Sequence, residues 1–151
     1  MVDSDRLAEI LGRLRGYLEQ MRILAALPRD AFLQDFSRVA GAKYLLQIAI
    51  ECCLDIAHHI VAEEGYRPPA DYYDTFRILW ENGIVPEAFL PTLRKMVGFR
   101  NRLVHLYWEV DDATVYRILQ ENLGDFETYI GYILDFARKG RGDRTGFPAS
   151  G

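Results

Sequence analysis

The segment Tyr44-Leu45-Leu46-Gln47-Ile48-Ala49-Ile50-Glu51-Cys52-Cys53-Leu54-Asp55-Ile56-Ala57-His58-His59-Ile60-Val61 is apolar around most of its circumference when it is drawn as a helix. Its apolar side chains form two faces, one made of Leu45, Ile48, Ala49, Cys52, Ile56 and Ile60 and the other of Leu46, Ile50, Cys53, Leu54, Ala57 and Val61. Only a narrow strip is polar, consisting of Lys43, Gln47, Glu51, Asp55 and either His58 or His59. A helix of this kind is buried on most sides, so the segment predicts a central helix with a core face and a partner face. The polar strip either meets solvent or lines a cleft.

The flanking sequence predicts further helices, because apolar residues recur at spacings of three and four and no stretch has the pattern of a strand. The expected helices run from Asp3 and Ser4 to Leu27, from near Asp30 to about Glu64 with a bend near Gly41, from Asp71 to Asn82, from about Pro86 to near Val110, and from Asp111 to about Lys139. Gly65 and Gly83 are expected to stop the second and third of these. The fold prediction is an all-α, up-and-down bundle of four to five helices over residues 1–139, with a flexible tail over residues 140–151.

Composition limits the class of protein. The 151 residues suit one domain, and a formal charge of −4 gives no overall basic field to attract nucleic acid. The adjacent Cys52 and Cys53 cannot easily pair, so they predict buried thiols in a reducing cytoplasm. With His58 and His59 they suggest a metal site, but four ligands from one helix cannot converge tetrahedrally, and no metal is expected. No signal peptide and no apolar run long enough for a membrane are expected.

The segment that contains the candidate catalytic residues is Gly98-Phe99-Arg100-Asn101-Arg102-Leu103-Val104-His105-Leu106-Tyr107-Trp108. On a helix, Asn101 and His105 lie about 40° apart, whereas Arg100 lies about 140° from His105. Arg100 and His105 then meet around one phosphate only if the arginine wraps the helix or if a two-fold dimer supplies a second copy. Histidine transfers protons near neutral pH, and arginine binds phosphate and stabilises charge that develops on it.

Each of these residues also has an ordinary structural interpretation. His105 alone suits a satisfied structural histidine, and Glu109 either orients its ring or is a helix-end charge. Tyr107 and Trp108 either stack a base or pack in a core or interface. Lys95 and Arg102 are candidate phosphate-binding residues or part of a solvated face. A glycine within a helix, such as Gly98, often marks a close approach of another backbone, for example that of the same helix in a partner chain.

Three local patterns resemble HEPN-domain ribonucleases, and specifically the HepT toxins of HEPN/MNT toxin–antitoxin pairs. They are the centre of the long helix at residues 44–51, the stretch at 76–79, and Met96-Val97-Gly98-Phe99-Arg100-Asn101-Arg102-Leu103-Val104-His105-Leu106-Tyr107. The resemblance covers roughly residues 5–139. It implies a homodimer with Arg100 and His105 as catalytic residues and Asn101 in support. It also implies that a partner minimal nucleotidyltransferase silences the toxin by adding AMP to Tyr107.

The activity that the resemblance implies is cleavage of RNA without metal or other cofactor. The ribose 2′-OH attacks the adjacent phosphorus and leaves a 2′,3′-cyclic phosphate and a 5′-OH. A different class of function is also open, in which the chain is a dimeric helical module that docks a nucleotidyltransferase and has little or no nuclease activity.

Overall fold

The computed structural model describes residues 3–145, and these form helices and turns without a strand. The α-helices are α1 (Ser4–Ala25), α2 (Arg29–Leu33), α3 (Phe36–Glu63), α4 (Tyr72–Glu81), α5 (Leu90–His105), α6 (Asp112–Glu121) and α7 (Leu123–Thr145). A 3₁₀ turn precedes α5 at Glu87–Phe89, and another follows it at Tyr107–Glu109. The prediction of an all-α bundle is confirmed.

Helix α3 is the centre of the bundle and contacts α1, α2, α4, α5 and α6. Eleven of the twelve apolar side chains on its two predicted faces are buried, and Ile48 is partly buried against the core. Both faces are therefore covered by helices of the same chain, and the expectation that one of them awaits a partner is wrong. The polar strip of α3 is the part that reaches the functional residues described below.

The expectation about membrane spans is also corrected. Helix α3 is long and apolar enough to cross a membrane by length and composition alone. In the fold, however, 61% of its most apolar 18-residue window is buried inside the domain. That burial is what the core helix of a bundle requires, because its apolar surface is already covered by protein.

Two predicted helices are each divided by a short break. The helix expected from Asp30 to Glu64 is interrupted before Phe36, where the Asp35 carboxylate accepts hydrogen bonds from the backbone N–H groups of Ser37 and Arg38. Helix α3 runs without a break through Gly41, where a bend was expected. The last predicted helix is divided at Asn122, which lies between α6 and α7. These two breaks raise the expected five helices to seven.

Most helix ends follow the sequence signals. Asp3, Asp71 and Asp111 cap α1, α4 and α6 through their side chains, as N-cap aspartates do. Gly65 and Gly83 follow α3 and α4 with φ values of 68° and 75°, a left-handed conformation in which a side chain is costly.

The end of α5 differs from the prediction. The helix stops at His105 rather than near Val110, because Leu106 leaves helical geometry at φ −135° and ψ 42°. Tyr107 therefore lies in the following 3₁₀ turn and not on the same helix as His105. At the other end of the chain, α7 runs to Thr145, past the expected boundary at Lys139. The remainder of the predicted tail, residues 146–151, lies outside the described residues.

Candidate active site

Helix α5 is anchored by one face and presents the other to a cleft. Leu93, Met96, Val97 and Leu103 are buried and fix the rotation of the helix. The opposite side faces the start of α4 across an open cleft of about 620 Å³, which Arg100, Asn101 and His105 all line. Arg100 and His105 of one chain therefore border the same cleft, although they lie about 140° apart on the helix. That they act together on one phosphate stays a prediction.

The guanidinium of Arg100 is held from two sides. Its Nε and Nη2 donate to Oε2 of Glu51 at 3.0 and 2.9 Å, and its Nη1 donates to Oδ1 of Asn101 at 3.2 Å. The side chain is 15% exposed. A guanidinium has five N–H donors, so these contacts leave two N–H groups for a phosphate. Asn101 thus has the specific partner that its mid-helix position predicted.

Glu51 belongs to the polar strip of α3 and contacts the cleft only through Arg100, since its own side chain is 31% exposed and is not among the residues that line the cleft. Other members of the strip also contact side chains of neighbouring helices. Lys43 is buried with its Nζ 3.0 Å from Oδ1 of Asp112, and Nε2 of His58 lies 3.1 Å from Oγ1 of Thr75. Asp55 is the exposed member. The strip is therefore mostly a set of contacts to neighbouring helices.

His105 is exposed at the last position of α5. Among the described residues its ring makes no hydrogen bond, so both ring nitrogens are available for proton transfer. Glu109 does not orient it. Because the helix ends at His105, Glu109 is not one turn further along the same face, and its contact is a backbone one, in which its carbonyl accepts from Nη2 of Arg102 at 3.3 Å.

Tyr107 and Trp108 are on the surface rather than in the core, with 42% and 77% of their area exposed. The Nζ of the buried Lys43 lies 4.6 Å from the centroid of the Tyr107 ring. This cation–π contact fixes the ring at the surface, two residues beyond His105. Tyr107 is therefore placed where an enzyme partner can approach it.

The remaining candidates lie elsewhere. Lys95 is exposed and lines a separate cavity of about 370 Å³ with apolar residues of α3 and α7. Arg102 is exposed and is not among the residues that line the cleft. Gly98 lines the cleft, and a Cβ there would meet nothing within 4 Å. The close backbone approach expected at Gly98 is thus not made within the chain.

The cysteines and the other histidines do not form a site. Cys52 and Cys53 are free and buried, and burial raises the pKa of the Cys53 thiol well above its ordinary value, which makes it inert. The ring of His59 lies 3.4 Å from the backbone carbonyl of Asp3. Within residues 3–145, no group of three or more histidine, cysteine, aspartate and glutamate side chains is placed to hold a metal ion.

Sequence reasoning missed the residues that complete the cleft. The sequence identified Glu51 only as a member of the polar strip of α3. Its ion pair with Arg100 joins residues 49 positions apart, and no local sequence pattern predicts such a contact.

The spacing of Tyr72, Phe76, Leu79 and Trp80 predicts that they form one apolar side of their helix. Tyr72 is nevertheless 42% exposed, with its ring centroid 5.2 Å from the Arg100 guanidinium carbon. Tyr73, also missed, lines the cleft. Arg94 lines it too, and the sequence does point to Arg94, as part of a basic cluster with Lys95, Arg100 and Arg102 that predicts either a phosphate site or a solvated helix face.

Glu51 gives the first testable prediction. Glu51→Ala should lower about tenfold the kcat of the ribonuclease activity that the resemblance implies. The Arg100 guanidinium would lose the carboxylate that orients it, and the resemblance gives Arg100 a catalytic role in which misplacement is costly. Glu51→Gln should lose less, since the amide oxygen still accepts a hydrogen bond. Asp55→Ala, an exposed carboxylate on the same helix, is the matched control for charge. Steady-state RNA cleavage measures the effect, and a rise in kcat in Glu51→Ala would show that Glu51 competes with substrate instead.

Comparison with known proteins agrees with this geometry. The ribonuclease HepT-like family model matches residues 9–133. The mRNA nuclease HepT of Shewanella oneidensis is 36% identical over 102 residues, which are 68% of this chain and 77% of that protein. The tRNA nuclease HepT of Aphanizomenon flos-aquae is 25% identical over 128 residues, 85% of each chain. A solved structure of a tri-AMPylated Shewanella oneidensis HEPN toxin in complex with MNT antitoxin has a TM-score of 0.81 at 28% identity, covering 88% of this chain and 99% of that one.

An all-α bundle whose fifth helix carries arginine, asparagine and histidine beside one cleft, and which superimposes on a HEPN toxin, is a HEPN domain. Within that class, this chain belongs to the ribonuclease HepT-like family.

Proposed function

We propose that this protein is the toxin of a toxin–antitoxin pair and acts as a metal-independent endoribonuclease. Arg100 and His105 are the catalytic residues of the proposal, and Asn101 supports Arg100. The observation that carries it is the shared cleft, in which Arg100 has two unused N–H donors and His105 has an unbonded ring. Family membership and the nuclease names of the relatives support the same conclusion.

The mechanism follows from these groups. The ribose 2′-oxygen forms a bond to the adjacent phosphorus while His105 takes the 2′-OH proton. The bond from phosphorus to the 5′-oxygen then breaks, and a proton returned by His105, or by a second copy of it, neutralises the leaving oxygen. Arg100 donates its two remaining N–H groups to the non-bridging oxygens, where negative charge accumulates. The products are a 2′,3′-cyclic phosphate and a 5′-OH.

The experiment that tests this proposal uses the chemistry of the substrate. The purified protein should cleave RNA in excess EDTA and leave cyclic phosphate ends, while an oligonucleotide with 2′-deoxyribose at the cleavage position should remain intact because it lacks the nucleophile. Mass spectrometry of the products measures both. Loss of cleavage in EDTA would assign the reaction to a metal, and absence of cleavage by the wild-type protein would favour a docking module without nuclease activity.

The proposed partner is a cognate minimal nucleotidyltransferase antitoxin in the cytoplasm, which modifies Tyr107. Two observations support this. The similar Shewanella oneidensis toxin is described as tri-AMPylated and bound to an MNT antitoxin. In this chain Tyr107 is an exposed tyrosine two residues beyond His105, with its ring held against Lys43.

The proposal includes a homodimer. Its support is a group of exposed apolar side chains next to His105, namely Val104, Leu106 and Trp108, which a second copy could cover. Sedimentation equilibrium at micromolar concentration should give a dimer, and Trp108→Ser should shift it toward monomer. A wild-type monomer at that concentration would contradict this part of the proposal.

A further inference from the structure

The cleft extends beyond the catalytic residues along one face of α5. Arg94, Gly98, Asn101 and His105 are spaced by four, three and four residues, so they lie on one side of the helix within about 60°. All four line the cleft. Arg94 lies roughly 16 Å from His105 along the helix axis, given a rise of about 1.5 Å per residue. A nucleotide chain that enters the cleft at His105 and follows this face therefore reaches Arg94.

Arg94 differs from its basic neighbours in having no carboxylate partner among the described residues. An adjoining cleft of about 520 Å³ shares Tyr73 and Arg94 with the first and is also lined by Arg67 and Arg77. Arg67 binds Asp74 at 2.8 Å and Glu81 at 2.8 Å, and Arg77 lies 3.6 Å from Asp74.

The carboxylates around Arg94 accept hydrogen bonds from groups other than Arg94. Hydrogen bonds from Arg67 and from the Ala70 N–H hold the pKa of the Asp74 carboxyl well below its ordinary range, so this carboxylate is ionised and paired. The Asp71 carboxylate accepts the Asp74 N–H at 2.7 Å as a helix cap. The Asp71 carboxylate lines both clefts and keeps its negative charge. Arg94 is therefore distinguished by having no ion pair among the described residues, which leaves its N–H groups open to a ligand.

Two aromatic rings accompany the Arg94 charge. The guanidinium carbon of Arg94 lies 4.6 Å from the centroid of the Tyr73 ring, which holds the arginine over the partly buried tyrosine. Tyr72 is 42% exposed and lines the cleft with Arg94, and its ring centroid lies 5.2 Å from the Arg100 guanidinium carbon and 6.0 Å from the His58 ring centroid. An exposed aromatic residue that lines one cleft with two arginines is the combination by which proteins hold single-stranded nucleic acid, with the bases stacked and the phosphates paired.

We propose that Tyr72, Tyr73 and Arg94 form a nucleotide-binding subsite of the cleft, in which Arg94 binds a phosphate flanking the scissile one and Tyr72 stacks the intervening base. Tyr73 holds Arg94 in place. The subsite rests on the proposed ribonuclease function and adds to it the residues that retain a single-stranded RNA. None of the three residues takes part in proton transfer or in contact with the scissile phosphate.

The subsite predicts a separation of KM from kcat. Arg94→Ala should raise KM about tenfold and leave kcat within about twofold, because it removes one phosphate contact remote from the reacting atoms. It should also reduce the slope of log binding constant against log salt concentration by about 0.7. Arg138→Ala, which removes the same charge from an exposed position on α7, is the matched control and should change neither quantity. An equal effect in Arg138→Ala would mean that only net charge matters and would overturn the subsite.

The stacking role is tested with an uncleavable probe. A fully 2′-O-methylated RNA nonamer should bind the wild-type protein in fluorescence anisotropy, and Tyr72→Ala should weaken binding about tenfold while Tyr72→Phe retains it. The penalty of Tyr72→Ala should vanish when the stacked nucleotide is replaced by an abasic one. A penalty that persists on every abasic probe would contradict stacking.

Outcomes for the subsite and for the proposed function are distinguishable. If the wild-type protein cleaves RNA but both Arg94→Ala and Tyr72→Ala bind the nonamer as tightly as wild type, the subsite is wrong and the ribonuclease stands. If the wild-type protein neither cleaves RNA nor binds the nonamer, both fail. If the Arg94→Ala variant loses only its binding to the nucleotidyltransferase, this surface belongs to the antitoxin interface and the subsite is overturned. Circular dichroism confirms that each variant is folded.

Discussion

His105→Ala should lose ribonuclease activity by about 10²–10⁴-fold, the range that a positioned acid–base group contributes to a rate. The structural cost should be small, because His105 is exposed and its ring makes no hydrogen bond among the described residues. Arg100→Ala should cause a loss of similar size, since the charge that develops on the phosphate would lose its two N–H donors. Initial rates on a defined RNA measure both changes, and far-ultraviolet circular dichroism should stay helical.

The controls come from the same helices. Arg102→Ala removes an exposed arginine of α5 that does not line the cleft, and His59→Ala removes a histidine of α3 that contacts only the backbone carbonyl of Asp3 among the described residues. Both should keep nearly full activity. Arg100→Lys should recover little of the ribonuclease activity that Arg100→Ala loses, because an ammonium group cannot reproduce the planar guanidinium that binds Glu51 and phosphate at the same time. Unchanged cleavage in both His105→Ala and Arg100→Ala would remove these residues from the mechanism and leave the docking module as the better interpretation.

The parts of this protein that were predictable are those in which the physical cause is local. Helix caps at Asp3, Asp71 and Asp111 and the glycine stops at Gly65 and Gly83 follow from hydrogen bonding and backbone freedom within a few residues. The break at Asp35 carries the same kind of signal. It was missed because the apolar periodicity continues across residue 35, and because Gly41, which weakens a helix, was chosen as the position of the irregularity instead.

The parts that were not predictable depend on contacts between distant residues. The pairing of Glu51 with Arg100 decides whether the arginine wraps toward the cleft, and helical angles alone place Arg100 and His105 about 140° apart. A long flexible side chain is directed by its partner, and the partner is on another helix. For the same reason Tyr72 was placed on the apolar side of its helix, whereas Arg100 holds its ring at the cleft edge. The early end of α5 at His105 likewise reflects the following chain turning back toward α3, where Lys43 meets Tyr107.

Modification of Tyr107 should silence the enzyme almost completely. With its cognate nucleotidyltransferase, ATP and magnesium, the wild-type protein should gain mass in AMP-sized steps and lose RNA cleavage. Each AMP adds a phosphodiester anion and an adenosine two residues beyond His105, which blocks the cleft and places a competing phosphate near Arg100.

Tyr107→Phe separates regulation from catalysis. It removes only the phenolic oxygen, and the ring contact with Lys43 can persist, so the variant should keep its nuclease activity, gain no mass and remain toxic when the antitoxin is co-expressed. Two other tyrosines serve as controls in peptide mass spectrometry. The hydroxyl of Tyr116 is bound to the Leu27 carbonyl at 2.8 Å and should not react, whereas Tyr44 is 60% exposed and tests whether exposure alone is sufficient. AMP on Tyr44 with Tyr107 unmodified would show that accessibility selects the target; AMP on Tyr107 alone would show that the antitoxin recognises the surface beside the cleft.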